Sequence, residues 1–222
     1  MRWLLKVSVV IPTYNRKAGL LRNLSKLPDN IEIIVVDDGS TDGTTEAIEQ
    51  THLSNLIYIK QLNSGPSAAR NTGIKASSGE YVAFVDDDCV PVSPWPWPLF
   101  DRLQHESSRI AGVGGSVRPL QNGLLSRYYT FHRILEPPDS CAYLVTANCA
   151  YRRKTLEEVG GFDTRIRQPG GEDPALSMRV RLAGYQLVFE PTAMVMHDYR
   201  ESLADFIKTF YRYGRGNAYV MG

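Results

Sequence analysis

Three adjacent carboxylates, Asp86, Asp87 and Asp88, follow the apolar run at residues 81–85 and are the strongest candidates for chemistry in this sequence. An apolar run of that length predicts a buried strand. Carboxylates crowded at its end repel one another, and they stay ionised at low cost only if a positive group lies among them. Oxygen ligands suit a hard divalent cation, so the triplet predicts a site for Mg²⁺ or Mn²⁺. The alternative is an acidic, solvated loop.

Polar residues follow two earlier apolar runs as well. Thr13 and Tyr14 come shortly after residues 7–11, and Asp38 comes shortly after residues 31–36. In an open parallel sheet, ligands bind beyond the carboxyl ends of the strands. We therefore expect these side chains to meet the aspartate triplet in one crevice.

The positioning elements alternate between strand and helix in the first half of the chain, which is typical of an α/β fold with an open, mostly parallel sheet and helices on both faces. Apolar runs predict strands, and helical spacing predicts helices. The predicted strands are residues 7–11, 31–36, 57–59 and 81–85, and the predicted helices are 18–26, 44–50 and 66–75.

The second half is less regular. The prolines of residues 91–98 exclude a helix or a central strand and predict a surface loop. We expect a mobile loop at 163–171 and an amphipathic helix at 202–221. Further strands are predicted at 110–117, 143–146, 186–189 and 193–196, and further helices at 124–135, 152–159 and 174–183.

Composition excludes several classes of protein. The net charge of +1 over 222 residues gives no electrostatic signature of nucleic-acid binding. No apolar stretch is long enough to span a bilayer, and residues 3–5 are too short for a secretion signal. The sequence has three cysteines, Cys89, Cys141 and Cys149, without the spacing of a metal site. An odd number of cysteines suits a reducing, cytoplasmic location better than a disulfide framework.

Common nucleotide motifs are also missing. The sequence contains no P-loop and no Gly-x-Ser-x-Gly elbow, and the glycines of residues 112–115 do not form a dinucleotide fingerprint. What remains is a metal–carboxylate crevice, which suits a diphosphate because a cation can bridge its oxygens and assist its departure.

Several segments, taken in order, resemble glycosyltransferase family 2. They are VSVVIPTYNR at 7–16, IVVDDGSTD at 34–42, NSGPSAARNTG at 63–73, FVDDD at 84–88, GGFD at 160–163 and GEDPALSMR at 171–179. The resemblance implies a single GT-A catalytic domain over about residues 1–200. Its Rossmann-like nucleotide-binding half would cover about 1–90 and its mixed acceptor-binding half about 91–200. The amphipathic helix at 201–222 would follow, and the chain would be a truncated part of a longer protein.

The implied reaction is inverting, metal-assisted transfer of a hexosyl or N-acetylhexosaminyl group from a nucleoside diphosphate sugar, commonly a UDP-sugar, to an acceptor hydroxyl. Such transfer serves polysaccharide or glycoconjugate biosynthesis. The acceptor would be a glycan, a lipid-linked sugar or a small molecule. Two alternatives stay open, a non-catalytic nucleotide-sugar-binding domain and a sugar nucleotidyltransferase. The latter would need a Gly-rich, basic phosphate loop after the first strand, which residues 12–16 do not provide.

The resemblance also implies roles for the acidic triplet and for one histidine. Asp88 matches a direct metal ligand, and Asp86 matches a ligand of the ribose or of the metal's water shell. Asp87, between them, would bind the substrate or would point away from the site. His197 matches a further metal ligand in some relatives, and a packed, hydrogen-bonded histidine is the other interpretation.

Donor binding is implied for residues in the first half of the chain. Asp38 matches the carboxylate that accepts from the uracil ring N–H, although a turn aspartate is also typical there. Arg70 matches a base- or phosphate-contacting arginine, with a surface salt bridge as the alternative. The base pocket would be lined by Pro12, Thr13 and Tyr14.

Asp173 matches the family's catalytic base. A carboxylate there would take the proton of the acceptor hydroxyl. Its position before Pro174 also predicts an N-cap, where the helix dipole favours the anion. Glu172 would contact the acceptor or orient the site.

Two further sets of residues are candidates for substrate contact. Arg165 and Arg167 would close over the diphosphate as a lid, or lie as solvated loop charges. Aromatic residues that could stack on acceptor sugars, with core packing as the alternative, are Trp95, Trp97, Tyr128, Tyr129 and Tyr143. The terminal helix would make a peripheral contact at the inner face of a membrane, or pack on the domain.

Overall fold

The computed structural model describes residues 6–221, which form one eight-stranded sheet with helices on both faces. Residues 1–5, with the short apolar segment at 3–5, lie outside the described part, as does Gly222. The strands in chain order are β1 (Val7–Thr13), β2 (Glu32–Asp37), β3 (Leu56–Lys60), β4 (Tyr81–Val85), β5 (Cys89–Val92), β6 (Ile110–Pro119), β7 (Asn148–Arg152) and β8 (Gln186–His197).

Eight helices connect or flank these strands in residues 6–221. They are α1 (Lys17–Leu24), α2 (Thr44–Glu49), α3 (Pro66–Ala76), α4 (Trp97–His105), α5 (Leu124–Phe131), α6 (Arg153–Glu158), α7 (Glu172–Leu182) and α8 (Leu203–Met221). The four strands and three helices that the first half predicts are all present, as β1 to β4 and α1 to α3. Their bounds differ from the expected ones by at most two residues.

The sheet order is β3-β2-β1-β4-β7-β6-β8-β5. Strands β1 to β4 pair in parallel, whereas β7 is antiparallel to both of its neighbours, β4 and β6. At the far side, β8 is parallel to β6 and antiparallel to the edge strand β5. The α/β prediction of a mostly parallel sheet is therefore confirmed, with a parallel first half and a mixed second half. The domain boundaries stay a prediction.

The central strands are apolar on both faces because helices cover both sides. In β1, Val9 and Ile11 face one core cluster with Leu20 of α1, and Val10 faces the other. The second cluster includes Leu176 of α7. The two core clusters cover the two faces of the same strands. The carboxyl ends of β1, β2 and β4 therefore lie together at one edge of the sheet and open into one space.

The prediction of a surface loop over residues 91–98 is wrong. Pro91 lies in β5, at the edge of the sheet, where a missing N–H is tolerated. Trp95 and Trp97 are buried, and the Trp95 indole N–H donates to the Asn148 Oδ1 at 2.8 Å. These two tryptophans belong to the core and are not acceptor contacts.

Two other predictions of strands are corrected. Residues 143–146 form no strand; the strand that pairs with β4 on the side away from β1 is β7, which begins just after them. The separate strands expected at 186–189 and 193–196 are one continuous strand, β8, with an irregular register opposite Gly115 and Ser116. Within residues 6–221, no helix combines the length and apolar content that crossing a membrane requires.

Candidate active site

One crevice of about 970 Å³ lies at the carboxyl ends of β1, β2 and β4 and brings the predicted site residues together. Helices α7 and α8 form its opposite wall. The predicted residues that line it are Pro12, Thr13, Tyr14, Asp38, Arg70, Asp86, Asp87, Asp88, Glu172, Asp173 and His197.

Two arginines lie among the three aspartates. The Arg16 Nη1 is 3.1 Å from the Asp88 Oδ2, and the Arg70 Nη2 donates to the Asp86 Oδ1 at 2.8 Å. The expectation that positive charge must accompany the triplet is thus met in part by side chains. Sequence reasoning missed Arg16, although its position just after the polar end of β1 was a usable signal.

Asp87 points toward β1. Its Oδ2 accepts from the Thr13 hydroxyl at 2.7 Å. Burial, and next the charge of Asp88, raise the pKa of Asp87 to about 8. The two arginines therefore leave the negative charge of this cluster incompletely balanced.

Arg70 joins the two sides of the crevice. It is only 4% exposed, and its Nη1 donates to the Glu172 Oε1 at 3.2 Å while its Nη2 binds Asp86. Burial alone would lower its pKa, but the charges of Asp86, Asp173 and Glu172 raise the pKa of Arg70 above its ordinary value. The alternative of a surface salt bridge is therefore wrong.

Asp38 holds the loop between β3 and α3. Its Oδ1 accepts from the Gln61 side chain at 2.7 Å and from the Ser64 N–H at 2.9 Å, and its Oδ2 accepts from the Gly65 N–H at 2.8 Å. A carboxylate has about four acceptor positions, so room remains for one further donor from the crevice.

His197 meets the triplet because β8 pairs with β5, placing His197 opposite Cys89. Its Nε2 is 3.3 Å from the Asp88 Oδ1, and its ring stacks on Tyr199 with 4.3 Å between centroids. Possible metal-ligating atoms of Asp88, Cys89 and His197 lie within 4.8 Å of one another. Burial raises the pKa of the Cys89 thiol well above its usual range, which leaves Asp88 and His197 as the better oxygen and nitrogen ligands.

Asp173 is not an N-cap, contrary to the sequence prediction. Helix α7 begins at Glu172, and its N-cap is Gly171 in the left-handed conformation, with a φ of 95° that favours glycine. Asp173 lies in the first turn, where its two oxygens accept from the Thr146 N–H at 3.0 Å and the Thr146 hydroxyl at 2.8 Å. Sequence reasoning gave no signal for Thr146, because the contact joins segments far apart in the chain.

The protonation of Asp173 is set by opposing effects. Burial, and next the charge of Glu172, raise the pKa of Asp173 to about 7, while Arg70 and the Thr146 N–H act against that rise. The helix dipole was expected to favour the anion, but burial and the charge of Glu172 outweigh Arg70 and the Thr146 N–H, so the neutral form is favoured more than in a free aspartate.

The lid arginines differ in their surroundings. Arg165 is paired with Asp163 at 2.8 Å and is largely exposed, whereas Arg167 lines the crevice. A lid movement stays a prediction. Of the remaining aromatic candidates, Tyr129 and Tyr143 line the crevice, and Tyr128 packs against Phe206.

The amphipathic helix expected at 202–221 is present as α8, and its apolar side chains are divided between the domain and solvent. Phe206 and Phe210 pack against α5, whereas Leu203, Ile207 and Tyr211 are exposed. Packing on the domain is therefore confirmed for part of the helix. Sequence reasoning missed that α8 also lines the crevice, with Asp205, Lys208, Thr209, Arg212, Tyr213 and Asn217.

Comparison with known families decides the family of this chain. Residues 8–160 match the sequence pattern described as Glycosyl transferase family 2. The chain belongs to glycosyltransferase family 2. Residues 102–221 also match the pattern described as Glycosyl transferase family group 2.

Individual glycosyltransferases agree with this family. The chain is 33% identical to the pre-mycofactocin glycosyltransferase of Mycobacterium tuberculosis over 92% of its own length, but it spans only 46% of that protein. It is similar in structure to a mannosyltransferase from Pyrobaculum calidifontis in complex with GDP-Man and Mn²⁺, with a TM-score of 0.76, 23% identity and coverage of 98% of this chain and 64% of that one.

A second structural neighbour is Staphylococcus aureus TarS 1–349 in complex with UDP-GlcNAc. The TM-score is 0.69 at 22% identity, with 89% of this chain and 60% of that one covered. At these identities the two structures support the fold, which is of the GT-A type.

The raised pKa of Asp173 can be measured directly. We expect the carboxyl ¹³C signal of Asp173 to titrate with a midpoint near 7, because its burial favours the neutral form. Thr146→Val should move the midpoint upward, because it removes a hydrogen bond that stabilises the anion. A midpoint in the ordinary range of an exposed aspartate would contradict the geometry, and Thr130→Val, on α5, is the control variant.

Proposed function

We propose that this protein is an inverting glycosyltransferase that transfers a sugar from a nucleoside diphosphate sugar, with UDP as the preferred nucleotide, to an acceptor hydroxyl. One observation carries the proposal. Asp173 is a half-buried carboxylate that lies in the same crevice as the Asp86–Asp88 triplet, and its pKa is raised to about 7. A proton acceptor and a diphosphate-binding end in one crevice suit single displacement at a sugar carbon.

Asp173 acts as the general base in this proposal. The acceptor hydroxyl is a weak nucleophile, and the Asp173 carboxylate takes its proton while the oxygen attacks the sugar carbon. The bond to the diphosphate breaks on the opposite side, which inverts the configuration. A pKa near 7 is suitable, because about half of the carboxyl groups are ionised at neutral pH and the raised pKa makes the anion a stronger proton acceptor.

Glu172 orients the site in this arrangement. Its Oε1 accepts from Arg70 at 3.2 Å, and its Oε2 accepts from the Gly170 N–H at 2.6 Å. These contacts tie Glu172 to Arg70 and to the segment before α7, and Glu172 is only 5% exposed, which supports an orienting role over direct contact with the acceptor.

The residues of the triplet suit a divalent cation, Mg²⁺ or Mn²⁺. Asp88 and His197 would hold it, with Asp86 as a ligand of the ribose or of the metal's water. The incompletely balanced charge seen at Asp87 and the closeness of the Asp88 and His197 donor atoms support this assignment. When bound, the cation would offset negative charge on the departing diphosphate.

Asp38 supports a base that carries a ring N–H. Its remaining acceptor position can take the N3–H of uracil, and the rings of Pro12 and Tyr14 would line the base pocket. Guanine also has a ring N–H, and the neighbours carry both UDP-GlcNAc and GDP-Man. Cytosine has no ring N–H, so calorimetry with UDP, GDP and CDP separates the possibilities.

Two rival functions share the crevice. A binding module without catalysis would not need a buried base opposite the triplet. A nucleotidyltransferase would need a Gly-rich phosphate loop after β1, where the chain has Pro12, Thr13 and Tyr14.

Asp173→Asn tests the function. We expect transfer to fall by roughly 10²–10⁴-fold, the usual contribution of a general base, because the amide cannot take the proton. Binding of UDP with Mn²⁺ should stay close to that of the wild type. Transfer and donor hydrolysis are measured with a panel of UDP- and GDP-sugars.

Asp139→Asn is the matched control, because it makes the same change at a side chain that is 92% exposed. It should leave transfer unchanged. An Asp173→Asn variant that transfers sugar at a rate near that of the wild type would eliminate Asp173 as the base.

His197→Ala tests the metal assignment. We expect Mn²⁺ to bind at least about tenfold more weakly in the presence of UDP, because one nitrogen ligand is lost. Titration followed by electron paramagnetic resonance measures the affinity, and His105→Ala, on the exposed surface of α4, is the control. Equal Mn²⁺ affinity in the two variants would show that His197 is only a packed histidine.

The exposed stripe of α8 supports a peripheral contact with a membrane surface, where a lipid-linked acceptor would be met. Leu203, Ile207 and Tyr211 are each at least 60% exposed, and Lys208 and Arg215 lie on the same helix.

Vesicle sedimentation tests this contact. We expect Leu203→Ser with Ile207→Ser to reduce sedimentation with vesicles that contain anionic lipid, because apolar area and nearby positive charge both contribute to binding. Leu182→Ser, at a side chain that is 78% exposed at the end of α7, is the control. Equal sedimentation of the wild type and the double variant would exclude the stripe as the contact.

A further inference from the structure

Helix α8 contacts both ends of the crevice. Its first part packs on Tyr129 of α5, and its later part packs on the segment that leads into α7. Between these contacts, Tyr213 faces the crevice close enough to Glu172, Asp86 and Asp173 to feel their charges. The helix therefore links two ends of the crevice: the metal end, beside Asp88 and His197, and the base end, beside Asp173.

At the metal end the link is aromatic. Phe206 and Phe210 lie 5.7 Å and 5.9 Å from Tyr129, measured between ring centroids. Tyr129 stacks on Tyr199 at 4.4 Å, and Tyr199 stacks on His197 at 4.3 Å. A continuous set of rings thus runs from α8 to the histidine beside Asp88.

At the base end the contact is backbone on backbone. A Cβ built on Gly171 would lie 2.6 Å from the Gly216 carbonyl, and a Cβ built on Gly216 would overlap the Gly170 carbonyl. A Cβ on Gly170 would lie 3.0 Å from the Arg212 carbonyl oxygen. No side chain can be placed in this contact without separating α8 from residues 170–171.

The contact bears directly on Asp173. Gly171 is the N-cap of α7, and Glu172 and Asp173 are the next two residues. The segment before it, residues 163–171, has no helix or strand of its own. Its position depends on single hydrogen bonds, such as that from the Ser67 hydroxyl to the Ile166 carbonyl, and on the packing against α8.

We propose that Gly216 is a positioning residue for the general base: its close contact with Gly170 and Gly171 fixes the start of α7 and thereby the place of Asp173 in the crevice. This inference rests on the proposed function and adds α8 to the catalytic apparatus. Glycine weakens a helix relative to alanine, so a glycine inside α8 has a conformational cost that close packing explains at position 216.

Gly214 provides a matched control on the same helix. A Cβ at Gly214 would meet no atom within 4 Å, whereas one at Gly216 would displace the backbone of Gly170. Gly214→Ala and Gly216→Ala change helix propensity equally, so a difference between them reports the contact alone.

We expect Gly216→Ala to lower kcat for transfer by at least about tenfold, because a displaced base is poorly aligned with the acceptor. The affinity for UDP with Mn²⁺ should stay within about twofold of the wild type, since Asp38, Asp88 and His197 lie at the ends of sheet strands and not on the segment that Gly216 contacts. The midpoint of the Asp173 titration should shift, because the base changes its distances from Glu172, Arg70, Asp86 and Tyr213. Gly214→Ala adds a methyl group on the open side of the crevice that meets no protein atom, and it should keep the kcat and the Asp173 midpoint of the wild type.

Hydrogen exchange of the wild-type protein is a second measurement that requires no variant. If α8 fixes the segment, backbone amides of 163–171 and of 212–217 should open with the same free energy. Faster exchange in 163–171 than in 212–217 would overturn the proposal. So would a Gly216→Ala variant with the kcat and the Asp173 titration of Gly214→Ala.

The outcomes separate this inference from the proposed function. Loss of transfer in Asp173→Asn together with full activity in Gly216→Ala would refute only the positioning role. Absence of transfer in the wild type would refute the function, while exchange and the Asp173 titration would still decide whether Gly216 positions that carboxylate.

Discussion

The ion pairs of Arg70 are the interaction on which the site depends. The Arg70 guanidinium lies between Asp86, at the end of β4, and Glu172, at the start of α7, and it is almost fully buried. It also lies over the Phe162 ring at 5.6 Å. Removing one partner of a buried ion pair costs about 3–5 kcal/mol, because the other charge is left without compensation. Arg70 therefore joins the parallel half of the sheet to the helix that carries Asp173.

The same charges divide the crevice into two chemical environments. Near Asp88, the three aspartates outnumber the two arginines, and burial, followed by the charge of Asp88, raises the pKa of Asp87. Near Asp173, burial raises the pKa while Arg70 opposes the rise. One arginine thus serves both ends: it offsets charge at Asp86 and keeps the pKa of Asp173 from rising further.

Local patterns explain why much of the fold could be predicted. Strands β1 to β4 are apolar runs with clear turns between them, and their parallel pairing follows from the helices that connect them. Strand β7 was missed because its pairing with β4 is antiparallel and joins residues about 70 positions apart, which no local pattern records. In the site too, residues placed by local patterns could be predicted, and residues placed by long-range packing could not. Asp86 and Asp88 lie at the end of a predictable strand, whereas Thr146 and Gly216 reach the site only through tertiary packing.

Asp173 does not cap α7, so the start of this helix has to be fixed by contacts with other parts of the chain. A capping aspartate would have fixed the helix terminus through its own side chain. Here Gly171 is the N-cap, with no side chain to cap the helix, and the Asp173 oxygens are directed to Thr146. A carboxylate that capped its own helix would have its oxygens bound to local N–H groups, which would lower its pKa and weaken it as a base. Backbone packing and Glu172 fix the helix start instead, and Asp173 keeps the raised pKa on which its proposed role as the base depends.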